Sequence, residues 1–248
     1  MAPISHYDHL TINLTESSGE IEFVCDDPSL PTGDDNLVVR AARLFRETTA
    51  SRVGIRIALQ KKIPHGAGLG GGSSDAAATL RGLNDLFESG LTDEQLAKLA
   101  AKIGSDIAFF VYRSAALCRG RGEIVTPRAL PDSLRLLLLK PAFGVPTPWA
   151  YSRWKDSAEL PGISYRAQEF ASLVFRNDLE RPVFEKYVFL AQIKMWLLSQ
   201  SEVGAAILSG SGSTVFAALR DGANAEALAT RAKVELDPEM WTCACETL

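Results

Sequence analysis

The stretch from Lys61 to Ala76, Lys-Lys-Ile-Pro-His-Gly-Ala-Gly-Leu-Gly-Gly-Gly-Ser-Ser-Asp-Ala, constrains this chain more than any other. Five glycines fall between Gly66 and Gly72, followed by Ser73, Ser74 and an alanine-rich apolar run that reads as a helix to about Phe87. Glycine lets successive backbone N–H groups converge on one point and lets a bulky anion approach the main chain. Ser73 or Ser74 can cap a helix whose positive end faces that point. Phosphate is the ligand such a stretch suits.

Context narrows the kind of phosphate site. Gly66-x-Gly68-x-x-Gly71 spells the dinucleotide fingerprint, and the alternating Val53, Ile55, Ile57 and Leu59 place a strand before it. That fold needs its glycines at the strand's end and a second parallel strand bearing an acid about 20 residues on. Here Gln60 to His65 intervene, and a further helix follows the first. The P-loop pattern fails because no lysine follows the last glycine before the serines. A flexible linker is the bland alternative, and linkers are seldom set between a clean strand and a clean helix.

Composition excludes other classes of function. With 248 residues, 46% hydrophobic and 23% charged, the chain can bury one large or two modest cores. A net charge of −4 argues against a nucleic-acid partner. The longest apolar run, Leu134 to Leu139, is interrupted by Arg135 and too short to span a bilayer, and no basic-then-apolar signal opens the chain. The expected partner is therefore a small molecule, with no nucleic acid and no membrane, on a monomer or homodimer. Cys25, Cys118, Cys243 and Cys245 contain no Cys-x-x-Cys pair, so reduced thiols and a cytoplasmic setting are expected. Cys243-x-Cys245 is at most half a metal site, and metal ligands stay unassigned.

Taken in order, Leu10, Ile12 and Leu14 alternate, then Ile21, Phe23 and Val24 follow after Ser17-Ser18-Gly19, a pattern that reads as a β-hairpin. A helix is expected from about Asn36 to Thr48, the strand over Val53 to Leu59 next, and then the glycine loop. Thr92-x-x-Gln95 forms a capping box for a helix that stops at Gly104. Ala115 to Leu117 and Glu123 to Val125 suggest a second hairpin with Arg119-Gly-Arg121-Gly at its turn. Those arginines are either solvated or hold phosphate oxygens bidentately. Pro127 to Pro131 marks a boundary, giving two units of similar size, 1–130 and 131–248. In the second, Leu134 to Leu139 reads as a buried strand, Glu185 to Ser199 as one long helix, and Leu208-Ser-Gly-Ser-Gly-Ser213 as another glycine and serine loop between two strands.

The loop Pro64-His65-Gly66-Ala67-Gly68-Leu69-Gly70-Gly71-Gly72-Ser73-Ser74 resembles the ATP loop of the GHMP kinases. The likeness extends through Ile103-Gly104-Ser105-Asp106-Ile107, Arg119 to Glu123, Asn177-Asp178-Leu179-Glu180 and Leu208 to Phe216. The resemblance implies an α+β, two-domain GHMP kinase fold, with a ribosomal S5 domain 2-like N-terminal half, a ferredoxin-like C-terminal half and the active site in the cleft between them. It also implies ATP and Mg²⁺, and the likeness is greatest to the branch whose acceptor is a diphosphocytidyl-linked polyol of isoprenoid biosynthesis. Two other readings stand beside it: a GHMP-fold nucleotide-binding or regulatory subunit without catalysis, and a kinase for another small alcohol.

Residue roles follow on the same terms. An aspartate at Asp106, before an apolar run, is ordinarily a helix N-cap. The resemblance instead makes it the group that orients the acceptor hydroxyl and takes its proton. It likewise places Pro148 and Tyr151 of Pro146-Thr-Pro-Trp-Ala-Tyr151 beside a cytosine ring, the plain alternative being an aromatic-capped helix start. Gly70→Val is expected to block phosphate. The family's opening Pro-x-Lys-Ile-Asn-Leu strand has no match, because Thr11-Ile12-Asn13-Leu14 carries threonine at the lysine position and the first lysine is Lys61. The expectation is that about 30 N-terminal residues of the usual fold are lacking, that the chain is a poor kinase prone to self-association, and that otherwise Lys61, Lys62 or Arg121 supplies the charge.

Overall fold

A computed structural model describes residues 1–16 and 19–248, so Ser17 and Ser18 of the first expected turn lie outside the described residues. The chain divides into two compact units. The first comprises Met1–Pro64, Gly70–Leu130 and Leu248, and the second His65–Leu69 and Pro131–Thr247.

The first unit is built on three strands, β1 (His9–Thr15), β2 (Ile21–Cys25) and β3 (Gly54–Gln60), with α1 (Leu37–Thr49) between β2 and β3. The sheet order is β1-β3-β2, with β1 antiparallel and β2 parallel to β3. The expected hairpin of the first two strands is therefore corrected. Alternation identifies a strand but not its partner, and β3, with Ile55, Ile57 and Leu59 all buried, takes the centre. The parallel pairing of β2 with β3 needs a crossover, which α1 supplies. Asn36 starts that helix by accepting from Val38 N at 2.9 Å, and Val38, Val39, Ala41, Ala42 and Phe45 form its buried face.

After β3 come α2 (Gly71–Leu86), α3 (Asp93–Ile103) and α4 (Ile107–Val111), then the hairpin of β4 (Ala116–Arg119) and β5 (Ile124–Pro127). Thr92 and Gln95 close the expected capping box, and α3 ends at Gly104. Leu80, Leu83, Leu96, Ala100, Ile107 and Val111 pack with β3 and Phe45 into one core.

The second unit carries a four-stranded antiparallel sheet in the order β11-β6-β10-β9. Its strands are β6 (Arg135–Lys140), β9 (Val203–Leu208), β10 (Val215–Leu219) and β11 (Trp241–Glu246), joined by α5 (Thr147–Arg153), a short hairpin β7 (Gln168–Phe170) and β8 (Leu173–Phe175), α6 (Glu180–Lys186), α7 (Val188–Leu198) and α8 (Ala225–Glu235). The succession strand, helices, two strands, helix, strand in this order is the split βαβ, ferredoxin-like arrangement. The helix expected over 185–199 is two helices, broken at Tyr187 with φ −111° and ψ 66°. Tyr187 stacks on Phe143 at 5.5 Å and meets Trp149 edge-on at 5.6 Å, so tertiary packing overrides the local helical pattern. Among the described residues no helix is long and apolar enough to cross a membrane.

Candidate active site

The first unit holds Pro64 and the latter part of the glycine stretch. The helix after it begins at Gly71, two residues before the expected Ser73, and neither serine caps it. Its N-cap is Gly70, at φ 70° and without a side-chain cap bond, while Ser74 Oγ donates back to Gly71 O at 2.7 Å. A glycine cap leaves the first-turn N–H groups without a side-chain acceptor, which suits them to an anion better than a serine cap would. The glycines also have packing reasons. A Cβ on Gly70 would stand 2.6 Å from the Phe110 ring, and one on Gly71 2.9 Å from Ile63 Cγ2. Gly70→Val therefore disturbs Phe110 before it meets any ligand, which removes it as a clean probe of phosphate binding.

Beneath this turn lies a buried cluster that the sequence did not reveal. Lys61 Nζ bonds Asp8 Oδ2 at 2.5 Å and Asp75 Oδ2 at 2.8 Å, and the three side chains are at most 8% exposed. Asp8 also accepts from the backbone N–H groups of Lys62 and Ile63. Burial alone would push the Asp8 pKa up, but the Lys61 ammonium and those two amides outweigh it and hold the pKa below the usual value. Asp75 lacks the amides, and burial, with the Asp8 charge nearby, pushes it to about 7 despite Lys61. Burial opposes the Lys61 charge, yet the two carboxylates raise its pKa. Asp8 thus carries the negative charge, and Asp75 is the member that takes a proton. Lys61 is engaged on both sides and is no free charge for a phosphate. Lys62 Nζ lies 3.2 Å from His9 Nε2.

A pH dependence follows. Asp75 binds its proton more tightly folded, at about 7, than unfolded, near 3.8. Its contribution to stability is therefore complete below the unfolded value and is lost as pH rises through the folded one. Asp75→Asn should flatten that loss. Urea unfolding at about pH 5 and about pH 8 should show a smaller drop in the variant than in the wild type, and equal drops would contradict the assignment.

Asp106 precedes α4 at φ −81° and ψ −13°, and its side chain makes no cap bond. Asp106 therefore stands at the N-cap position without the side-chain bond that a helix cap uses. Asp106 is exposed as a residue, but its carboxyl lies against the β4–β5 turn, where a Cβ on Gly122 would come within 2.7 Å of Oδ1. Partial desolvation there pushes its pKa up. In the same turn Arg121 N donates to Glu123 Oε2 at 2.7 Å, and Arg119 and Arg121 are exposed. No cluster of three or more metal-ligating side chains occurs among the described residues.

In the second unit, His65 to Leu69 lie on the loop between β9 and β10. Thr214 N donates to Ala67 O at 3.0 Å, and Ser209 Oγ donates to Gly68 O at 2.9 Å. A Cβ on Gly68 would fall on the Ser209 carbonyl oxygen, with Gly212 O at 2.8 Å, and φ there is +73°. Only glycine fits. Pro148 sits in the first turn of α5, and Tyr151 on the same helix is 65% exposed, leaving its ring open to a planar partner.

Comparison with known proteins identifies the family. Family profiles described as "GHMP kinases N terminal domain" and "GHMP kinases C terminal" match residues 36–114 and 165–235. A 4-diphosphocytidyl-2-C-methyl-D-erythritol kinase from Methylacidiphilum infernorum is 41% identical over 255 aligned residues, covering 100% of this chain and 87% of that protein. One of the same name from Pelobacter propionicus is 36% identical, covering 100% and 89%. A crystal structure of 4-(cytidine 5'-diphospho)-2C-methyl-D-erythritol kinase superposes with a TM-score of 0.78 at 32% identity, covering 99% of this chain and 88% of that one. Homoserine kinase from Cytophaga hutchinsonii, at 18% identity and a TM-score of 0.70, shares the fold. The chain belongs to the GHMP kinase family.

Proposed function

We propose that this protein transfers the γ-phosphoryl group of ATP to the 2-hydroxyl of 4-diphosphocytidyl-2-C-methyl-D-erythritol, a step of non-mevalonate isoprenoid synthesis. The observation that carries this reading is 41% identity along the whole chain to a protein of that name. The first turn of α2, without a side-chain cap, and the Asp106 carboxylate, which makes no cap bond to α4, support it.

In this reading the loop from Pro64 to Ser74 holds the nucleotide phosphates through the backbone N–H groups of the residues after the proline. Asp106 orients the acceptor hydroxyl and receives its proton as the new O–P bond forms and the bond from the γ-phosphorus to the bridging oxygen breaks, releasing ADP. Mg²⁺ would enter with the nucleotide and supply charge neutralisation. Pro148 and Tyr151 bind the cytosine ring, Tyr151 by stacking. Four free cysteines fit a reducing cytoplasm.

Phosphorus NMR of a reaction with ATP, Mg²⁺ and this substrate tests the reading. A new phosphomonoester on the 2-hydroxyl, formed one for one with ADP, is expected. Hydrolysis of ATP without transfer would contradict it.

A further inference from the structure

We infer that Asn177 and the buried Glu180–Lys194 pair are positioning residues for the nucleotide, acting on the glycine loop through the loop between β9 and β10; this rests on the ATP reading of Gly66 to Ser74. β9 is an edge strand, so its outward backbone groups lack a strand partner. Side chains take them instead. Gln168 pairs with both Ala206 N and Ala206 O. One step along, Glu180 Oε1 accepts from Leu208 N at 3.0 Å and Asn177 Nδ2 donates to Leu208 O at 2.8 Å.

Asn177 Nδ2 also donates to Gly210 O at 2.7 Å, inside the second loop. Its Oδ1 accepts from Leu179 N at 2.9 Å, which fixes the amide's orientation. Glu180 is held in turn by Lys194 Nζ at 2.6 Å, which also donates to Ser164 O, with side chains 2% and 1% exposed. From Leu208 the chain runs straight into Ser209, whose hydroxyl holds Gly68 O, and five residues later Thr214 N holds Ala67 O. The carbonyls of Ala67 and Gly68 are thus fixed to a loop that is itself fixed by Asn177 and Glu180. A shift of the second loop turns the peptide planes of His65 to Leu69, and with them the N–H groups offered to phosphate.

A purely structural role, tying α6 to α7, is the competing account, and nucleotide affinity separates the two. Asn177→Asp keeps the acceptor for Leu179 N and loses both donors. It should raise the Kd for Mg²⁺ and a non-hydrolysable ATP analogue about tenfold, the scale of one lost hydrogen bond, measured by calorimetry on the full chain. Because breaking the buried pair on one side can prevent folding, two double variants complete the test. Glu180→Gln/Lys194→Met keeps the acceptor for Leu208 N, and Glu180→Leu/Lys194→Met removes it at the same net charge. The second should bind the analogue about tenfold more weakly than the first. In turnover, KM for ATP should rise in Asn177→Asp while kcat stays within about threefold. Unchanged Kd in Asn177→Asp, or equal Kd in the two doubles, with only the melting temperature lowered, overturns the inference. A wild type that binds the analogue but leaves the diphosphocytidyl substrate unphosphorylated would overturn the proposed function alone.

Discussion

Asp106→Asn should lower kcat by roughly 10² or more while the affinity for ATP stays within about twofold. The asparagine keeps the size and one acceptor oxygen but cannot take the hydroxyl proton. The Asp106 side chain makes no cap bond to α4, so the change removes none and the melting temperature should barely move. Desolvation against the β4–β5 turn raises its pKa, which makes the carboxylate a better base than a free aspartate. The acid limb of the wild-type profile of kcat/KM for the acceptor should accordingly lie above the usual carboxylate value and vanish in the variant. Rate measurements at saturating ATP check this. Near-normal turnover in Asp106→Asn would remove the residue from the chemistry.

The largest effect on stability is expected from Lys61→Met, about 3–5 kcal/mol by denaturant unfolding. The ammonium is the cation between two carboxylates that are 3% and 6% exposed, and methionine fills the space while leaving both without it. Neutralising Asp75 as well, in Lys61→Met/Asp75→Asn, should recover much of the loss. Asp8 retains its bonds from the N–H groups of Lys62 and Ile63, so one remaining charge is tolerated there. A cost under about 1 kcal/mol for Lys61→Met would mean that water reaches the cluster and screens it.

The legible parts of this chain were those with local chemistry. The Thr92–Gln95 capping box, the Gly104 stop and the apolar strand expected over Leu134 to Leu139, observed as Arg135–Lys140, depend on residues a few positions apart. Partnerships set by distant packing were not legible. Alternation in Leu10 to Leu14 and Ile21 to Val24 could not show that β3 would come between them. The helical period across 185–199 carried no sign that Tyr187 would leave it to stack on Phe143. Asp75 stood in view after Ser73 and Ser74, but Asp8 is 53 residues from Lys61, and no spacing rule joins them. Asp106 was visible as a residue, whereas the Gly122 turn that desolvates it was not. Asn177 and Glu180 were legible only as a motif, and their bonds to Leu208 and Gly210 give it a physical content.

Acceptor selectivity tests the central claim most directly. The ratio of kcat/KM for 4-diphosphocytidyl-2-C-methyl-D-erythritol to that for homoserine and for mevalonate, at saturating ATP and Mg²⁺, should be at least about 10³, because a site built to bind a cytosine ring and a diphosphate loses those contacts with a small alcohol. Comparable values for the three acceptors, or a preference for either small alcohol, would contradict the account.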